Sequence, residues 1–134
     1  MAKVQLVPPS EQDYDAAAML REALRRFVRR TELETRQRGL TPRAYQLLLM
    51  IKTGRRERGR ASLEELEERL QLGKSTITEL VLRSETAGLV RRELDPTRRR
   101  GISIRLTAAG ERQLADLVSV LGDERQRLLE LLRH

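Results

Sequence analysis

Apolar residues recur at helical spacing through most of the chain and alternate with polar ones in two short stretches. The first periodic segment follows Ser10, where Ala16, Leu20, Ala23 and Phe27, flanked by Ala17, Leu24 and Val28, form a broad apolar stripe. Ser10 supplies an N-cap and Gly39 a stop. Ahead of it, residues 1–9 show no period, and Pro8-Pro9 cannot continue a helix, so this stretch reads as a loose arm. Thr41-Pro42 then starts a second helix as N-cap and first-turn residue. From Ala44 to Ile51 that helix is apolar almost all round, which predicts burial at the centre of a domain. Gly54 ends it, and the loop GRRERGR follows.

From Ser62 to Thr107 the pattern changes several times in quick succession. Ser62 caps a short helix, Glu65 is placed to close a capping box, and Leu63, Leu66 and Leu70 keep helical spacing. Gln71-Leu72-Gly73 breaks the period. Lys74-Ser75-Thr76 opens another helix, with Ile77, Leu80, Val81 and Ala87 expected to face inward and Gly88 to end it. Residues 89–94 and 101–106 alternate as a two-stranded hairpin does, and the tip between them is DPTRRR. Thr107 caps a helix carrying Leu114, Leu117, Val118 and Leu121. Gly122-Asp123 interrupts it, with Asp123 and Gln126 as a fresh cap for a terminal helix holding Leu128, Leu129, Leu131 and Leu132.

Two short helices joined by so brief a turn make a helix-turn-helix, whose second helix can lay its N-terminal residues in a major groove. Lys74 suits a phosphate, Ser75, Thr76 and Thr78 suit base edges, and Arg83 lies further along the same side. Arg98, Arg99 and Arg100 put a cationic hairpin tip beside that helix, a wing able to reach phosphates or a minor groove. Charge supports the same partner. With 27 Lys and Arg against 20 Asp and Glu, the chain carries +7, which favours a polyanionic partner, double-stranded DNA here, with a membrane surface as the competing polyanion.

Other classes lose ground on composition. There is no cysteine, hence no disulfide framework, thiol switch or Cys-ligated zinc. The one histidine is His134, the last residue, and no phosphate loop or nucleophile elbow is present. Neither an enzyme nor a metal or other cofactor is expected. Glu64, Glu65, Glu67 and Glu68 read as a solvated helix face. No apolar run approaches a spanning helix and no signal peptide is visible, so a cytoplasmic protein with no membrane partner is expected. Aromatics are only 2% of residues, so the core must be aliphatic. The apolar faces of the terminal helices are better buried between two chains than within one, which predicts a homodimer.

The run LQLGKSTITELVLRSETAGLV, the DP followed by RRRG, the alternating strand and LTAAG leading into a long helix together resemble the MarR family of winged helix-turn-helix transcription regulators. Glu67, Gln71, Glu79 and Arg98 depart from the family's usual pattern. The resemblance implies a mainly α fold with a small β-hairpin. It gives a loose arm at 1–9 and a single winged-helix domain at 10–134, with dimerisation helices at 10–38 and 108–134 and a DNA-binding lobe at 41–107. It also implies a repressor acting on an inverted repeat, and an effector pocket for a small aromatic or anionic ligand, for which Phe27, Tyr45 and Arg21 or Arg25 are the candidates. Two alternatives stand beside it: a helical protein-interaction module, and a nonspecific nucleoid-type DNA binder.

Overall fold

A computed structural model describes residues 6–95 and 101–133. In chain order the elements are α1 (Glu11–Gln37), α2 (Pro42–Lys52), β1 (Arg60–Ser62), α3 (Leu63–Leu70), α4 (Lys74–Thr86), β2 (Val90–Leu94), β3 (Ile102–Leu106), α5 (Ala108–Val120) and α6 (Gly122–Leu132).

Helix ends follow local chemistry. The Ser10 Oγ accepts from the Asp13 amide at 3.2 Å while the Asp13 carboxylate accepts from the Ser10 amide at 2.8 Å, a reciprocal box that opens α1. At the other end Gly39 takes φ +72, so the Gly39 and Leu40 amides turn back onto the Arg36 and Thr35 carbonyls. The same motif closes α4, where Gly88 at φ +77 returns its amide to Glu85 and Leu89 returns its own to Ser84. Thr41, Ser62 and Thr107 each accept from the amide three residues on, capping α2, α3 and α5. The box expected at Ser62 is only half formed. Glu65 points away from the Ser62 amide and accepts instead from the Arg55 amide and from Arg69.

The core gathers around α2, whose Leu47, Leu48 and Ile51 are wholly buried. Leu66 from α3, Ile77 and Val81 from α4, Val90, Ile104 and Leu106 from the sheet, and Leu114 and Leu117 from α5 close on it. Backbones meet at two glycines. A Cβ on Gly54 would lie 1.9 Å from the Arg60 carbonyl oxygen, and one on Gly110 would lie 2.1 Å from that of Leu89. These contacts press the loop after α2 onto β1, and the first turn of α5 onto the end of the helix-turn-helix.

Three expectations need correction. The sheet has three antiparallel strands, in the order β1-β3-β2, because Arg60–Ser62 pairs with Arg105–Ser103. A three-residue strand with one inward side chain, Ala61, leaves no alternating pattern to read. In α4 the position three beyond Val81 is filled by buried Ser84, while Ala87 is the exposed C-cap. The break after α5 falls at buried Leu121 rather than at Gly122-Asp123, and Asp123 sits inside the first turn of α6 without a capping bond.

The terminal helices are less covered. Residues 6–22 are exposed throughout, among them Tyr14, Met19 and Leu20, and so are Val28 on α1 and Leu129, Leu131 and Leu132 on α6. On α1, Arg29 pairs with Glu32 and Arg30 with Glu34. No helix among the described residues is long and apolar enough to cross a membrane.

Candidate nucleic-acid interface

The turn between α3 and α4 is made by Gln71, which takes the left-handed conformation at φ 55, and Gly73, which is the N-cap of α4 without a side-chain cap. The α4 N-terminus therefore emerges with uncapped amides and its positive dipole end facing out. Lys74, Ser75 and Thr78 are exposed there. Thr76 is only half-exposed: it lies on the flank of α4, lining a hollow shared with Thr41, Pro42 and Arg43 of the α2 start and with Glu79, Leu80 and Arg83. Arg83 is exposed but engaged, its guanidinium 2.6 Å from the Glu79 carboxylate. The structure thus brings Lys74, Ser75 and Thr78 onto an open surface, sets Thr76 at its edge and holds Arg83 by an acid one turn back.

The wing is anchored at its base. The Asp95 amide donates to the Gly101 carbonyl at 3.0 Å, closing the hairpin. On the outer face of the sheet Glu93 is surrounded by arginines, with Arg91 at 2.9 Å, Arg60 at 3.3 Å and Arg105 at 3.6 Å. Partial desolvation pushes its carboxyl up, but Arg91, Arg105 and Arg60 together outweigh that and hold it below the ordinary carboxylate range. All three strands are therefore tied through one carboxylate. Arg98, Arg99 and Arg100 lie outside the described residues.

A second feature sits behind the helix-turn-helix. A cavity of about 330 Å³ opens between α1, α2, α3 and the α5–α6 junction, lined by Phe27, Tyr45, Leu49, Met50 and Leu121 with the cations Arg69 and Arg125. Burial pushes the Tyr45 phenol up, against the opposing pull of the nearby Arg125 charge. Phe27 and Tyr45 do come together here. Arg21 and Arg25 do not line it. At about 100° per residue, six residues place Arg21 roughly 120° round α1 from Phe27, and two residues place Arg25 nearly opposite. The arginines that do line it come from α3 and α6, far away in sequence. Arg69 donates to the Met50 and Thr53 carbonyls, the Thr53 hydroxyl and Glu65. Arg125 reaches the Val118 carbonyl and forms no ion pair with a described residue. Nor does any cluster of His, Asp and Glu among the described residues make a metal site.

Comparison with known proteins meets this geometry at the central lobe and then along the whole chain. A sequence model of the MarR family matches residues 38–101. No curated protein matches the chain in sequence. Among solved structures, AbsC, a MarR family transcriptional regulator from Streptomyces coelicolor, superposes with a TM-score of 0.75 at 23% identity, covering 95% of this chain and 84% of that one. A MarR family protein from Bacillus stearothermophilus gives 0.77 at 24% identity, covering 92% and 84%. A mutant MarR from E. coli complexed with operator DNA gives 0.69 at 19% identity, covering 85% and 79%. In sequence the central lobe, residues 38–101, matches the MarR family, and over nearly all its length the chain has the winged-helix fold of MarR family structures.

Proposed function

We propose that the protein is a sequence-specific DNA-binding regulator of transcription that acts as a homodimer on an inverted repeat. The observation that carries this reading is the open N-terminal turn of α4, where Lys74, Ser75 and Thr78 are exposed and Lys74 forms no ion pair with a described residue. A cation beside two hydroxyls at a helix N-terminus fits a phosphate and the adjacent base edges. The E. coli MarR that shares this fold is known in complex with operator DNA. The apolar faces left exposed on α1 and α6 supply surface for a second copy, which would set two recognition helices about a two-fold axis. Selection from a random duplex pool followed by sequencing tests it. The outcome expected is an inverted repeat with half-sites about 10 bp apart or a multiple of that; enrichment of no common sequence would leave a nonspecific binder.

Repression relieved by a small molecule is the finer form of the reading. The cavity beside α3 offers an apolar floor from Phe27, Tyr45 and Leu121, and Arg125 offers a cation that no described carboxylate occupies. An aromatic acid matches that pairing of surfaces. Because Arg69 and Leu70 of α3 form one wall, an occupant would bear on the first helix of the helix-turn-helix. Benzoate titrated against the protein–DNA complex, with Arg125→Ala as comparison, tests this: release by wild type and its loss in the variant are expected.

A further inference from the structure

From the end of α2 to the first residue of β1 the chain carries four arginines, at 55, 56, 58 and 60, and the structure sorts them into two kinds. Arg55 pairs with Glu68, and Arg60 pairs with both Glu57 and Glu93. Arg56 and Arg58 are exposed and form no ion pair with a described residue. The loop that presents them is firmly held. Gly54 lies against the Arg60 carbonyl too closely to admit a Cβ, Gly59 at φ +89 donates its amide to Lys52, the Arg55 amide donates to Glu65, and Glu57 bridges to Arg60. A loose solubilising loop would not need those restraints. Its position is also specific: Arg56 lines one hollow with Glu57, Ser62, Glu65, Ser103 and Asp95, without pairing to Glu57 or Glu65, at the base of the hairpin whose tip carries Arg98, Arg99 and Arg100 in sequence.

We propose that this loop is a second phosphate-contacting element, with Arg56 and Arg58 gripping the DNA backbone beside the wing and extending the contact beyond it. The proposal rests on the DNA-binding reading above. Two guanidiniums on a restrained loop, with no ion pair to a described carboxylate to release first, can turn their charge to a polyanion, and the held backbone limits the ordering cost of the contact. Such contacts fix position on the duplex and carry no base preference. Their contribution should therefore fall with salt and be equal on cognate and scrambled sequence.

The test is titration of the full chain against a selected cognate duplex and a scrambled one, at several salt concentrations, for wild type, Arg56→Ala, Arg58→Ala, both together, and Arg133→Ala as an exposed cation at the far end of α6. Each single change in the loop should lower the salt slope by about 1 per subunit, hence about 2 in a dimer, so that at low salt it costs about tenfold more affinity than after a fourfold salt increase. Lysine at either position should restore most of the slope. Hydroxyl-radical footprinting should lose protection at the outer flank of each half-site while the major-groove protection stays. An unchanged slope in the double variant, or a fall no larger than that of Arg133→Ala, overturns the proposal. Loss of preference for the cognate duplex alone also overturns it, because it would mean that the loop reads bases. If wild type itself binds neither duplex, the DNA-binding reading fails first, and with it this one.

Discussion

The helix-turn-helix lobe and the terminal helices are built from similar residues and end in opposite states. In the lobe the central apolar positions find acceptors within the chain: Leu48 of α2, Leu66 of α3, Ile77 of α4 and Ile104 of β3 are all at 0% exposure, and Leu82, Leu94 and Ile102 are exposed exceptions. On α1 and α6 the apolar positions outrun the surface available, leaving Met19 at 54%, Val28 at 51% and Leu132 at 63%. Amphipathic patterning thus says that a face will be buried and does not say by what. The core of the lobe closes within the chain. The terminal helices look outward, which is the basis for giving them a second copy of the chain as partner.

Mutations can sharpen that contrast. The largest effect is expected from Leu48→Ala, a cavity at the centre of the lobe, which should cost about 2–5 kcal/mol in denaturant unfolding. Leu132→Ala, on an exposed face, should cost under about 1 kcal/mol at dilute, monomeric concentration; a cost equal to that of Leu48→Ala would erase the distinction between the regions. Next comes the pair Leu128→Asp and Leu132→Asp, which puts carboxylates into the face assigned to the second copy. Sedimentation should show the dimer giving way to a monomer whose helical circular dichroism is retained, and an unchanged dimer would move the interface elsewhere. Arg69→Gln removes a charge-assisted set of bonds that ties α3 to the end of α2, worth about 2 kcal/mol. It should loosen the α2–α3 junction while sparing α6, as read by amide exchange. The smallest effect belongs to Glu93. Its folded carboxyl is held below its ordinary range, so its contribution is present at neutral pH and is lost as pH falls through that depressed value. Glu93→Gln should flatten the acid limb of wing unfolding below the ordinary carboxylate range, and an acid limb identical to that of wild type would mean that the three arginines do not act through this group.

Much of the lobe could be read from local chemistry, because its signals are local. Ser62, Thr41-Pro42, Thr107 and Gly88 mark helix ends through bonds to residues within a turn, and the run from Leu47 to Ile51 announces a buried helix by itself. What was missed depends on distant partners. Nothing in Arg60-Ala61-Ser62 reveals that Ser103, Ile104 and Arg105 will pair with it, and an arginine-rich stretch is a poor advertisement for a strand. Glu65 fits a capping box by spacing, yet Arg69 and the Arg55 amide compete for it and win. The cavity was half legible: Phe27 and Tyr45 are two of the chain's three aromatics, whereas Arg69 and Arg125 reach it only through the packing of α3 and α6. Among the candidate interface residues, Lys74, Ser75 and Thr78 are exposed on α4. Thr76 and Arg83 are the exceptions, because helical rotation turns both toward the α2 start and Glu79 takes hold of Arg83.

If the open turn of α4 reads sequence, Thr78 is the residue to question, being exposed and without charge. Titrating wild type and Thr78→Ala against a selected cognate duplex and a scrambled one at fixed salt measures it directly. Wild type should prefer the cognate by roughly 10³ or more, and Thr78→Ala should lose about 1–3 kcal/mol on the cognate alone with its salt slope intact. Equal affinity of wild type for both duplexes, or an equal loss on both by the variant, would contradict the account.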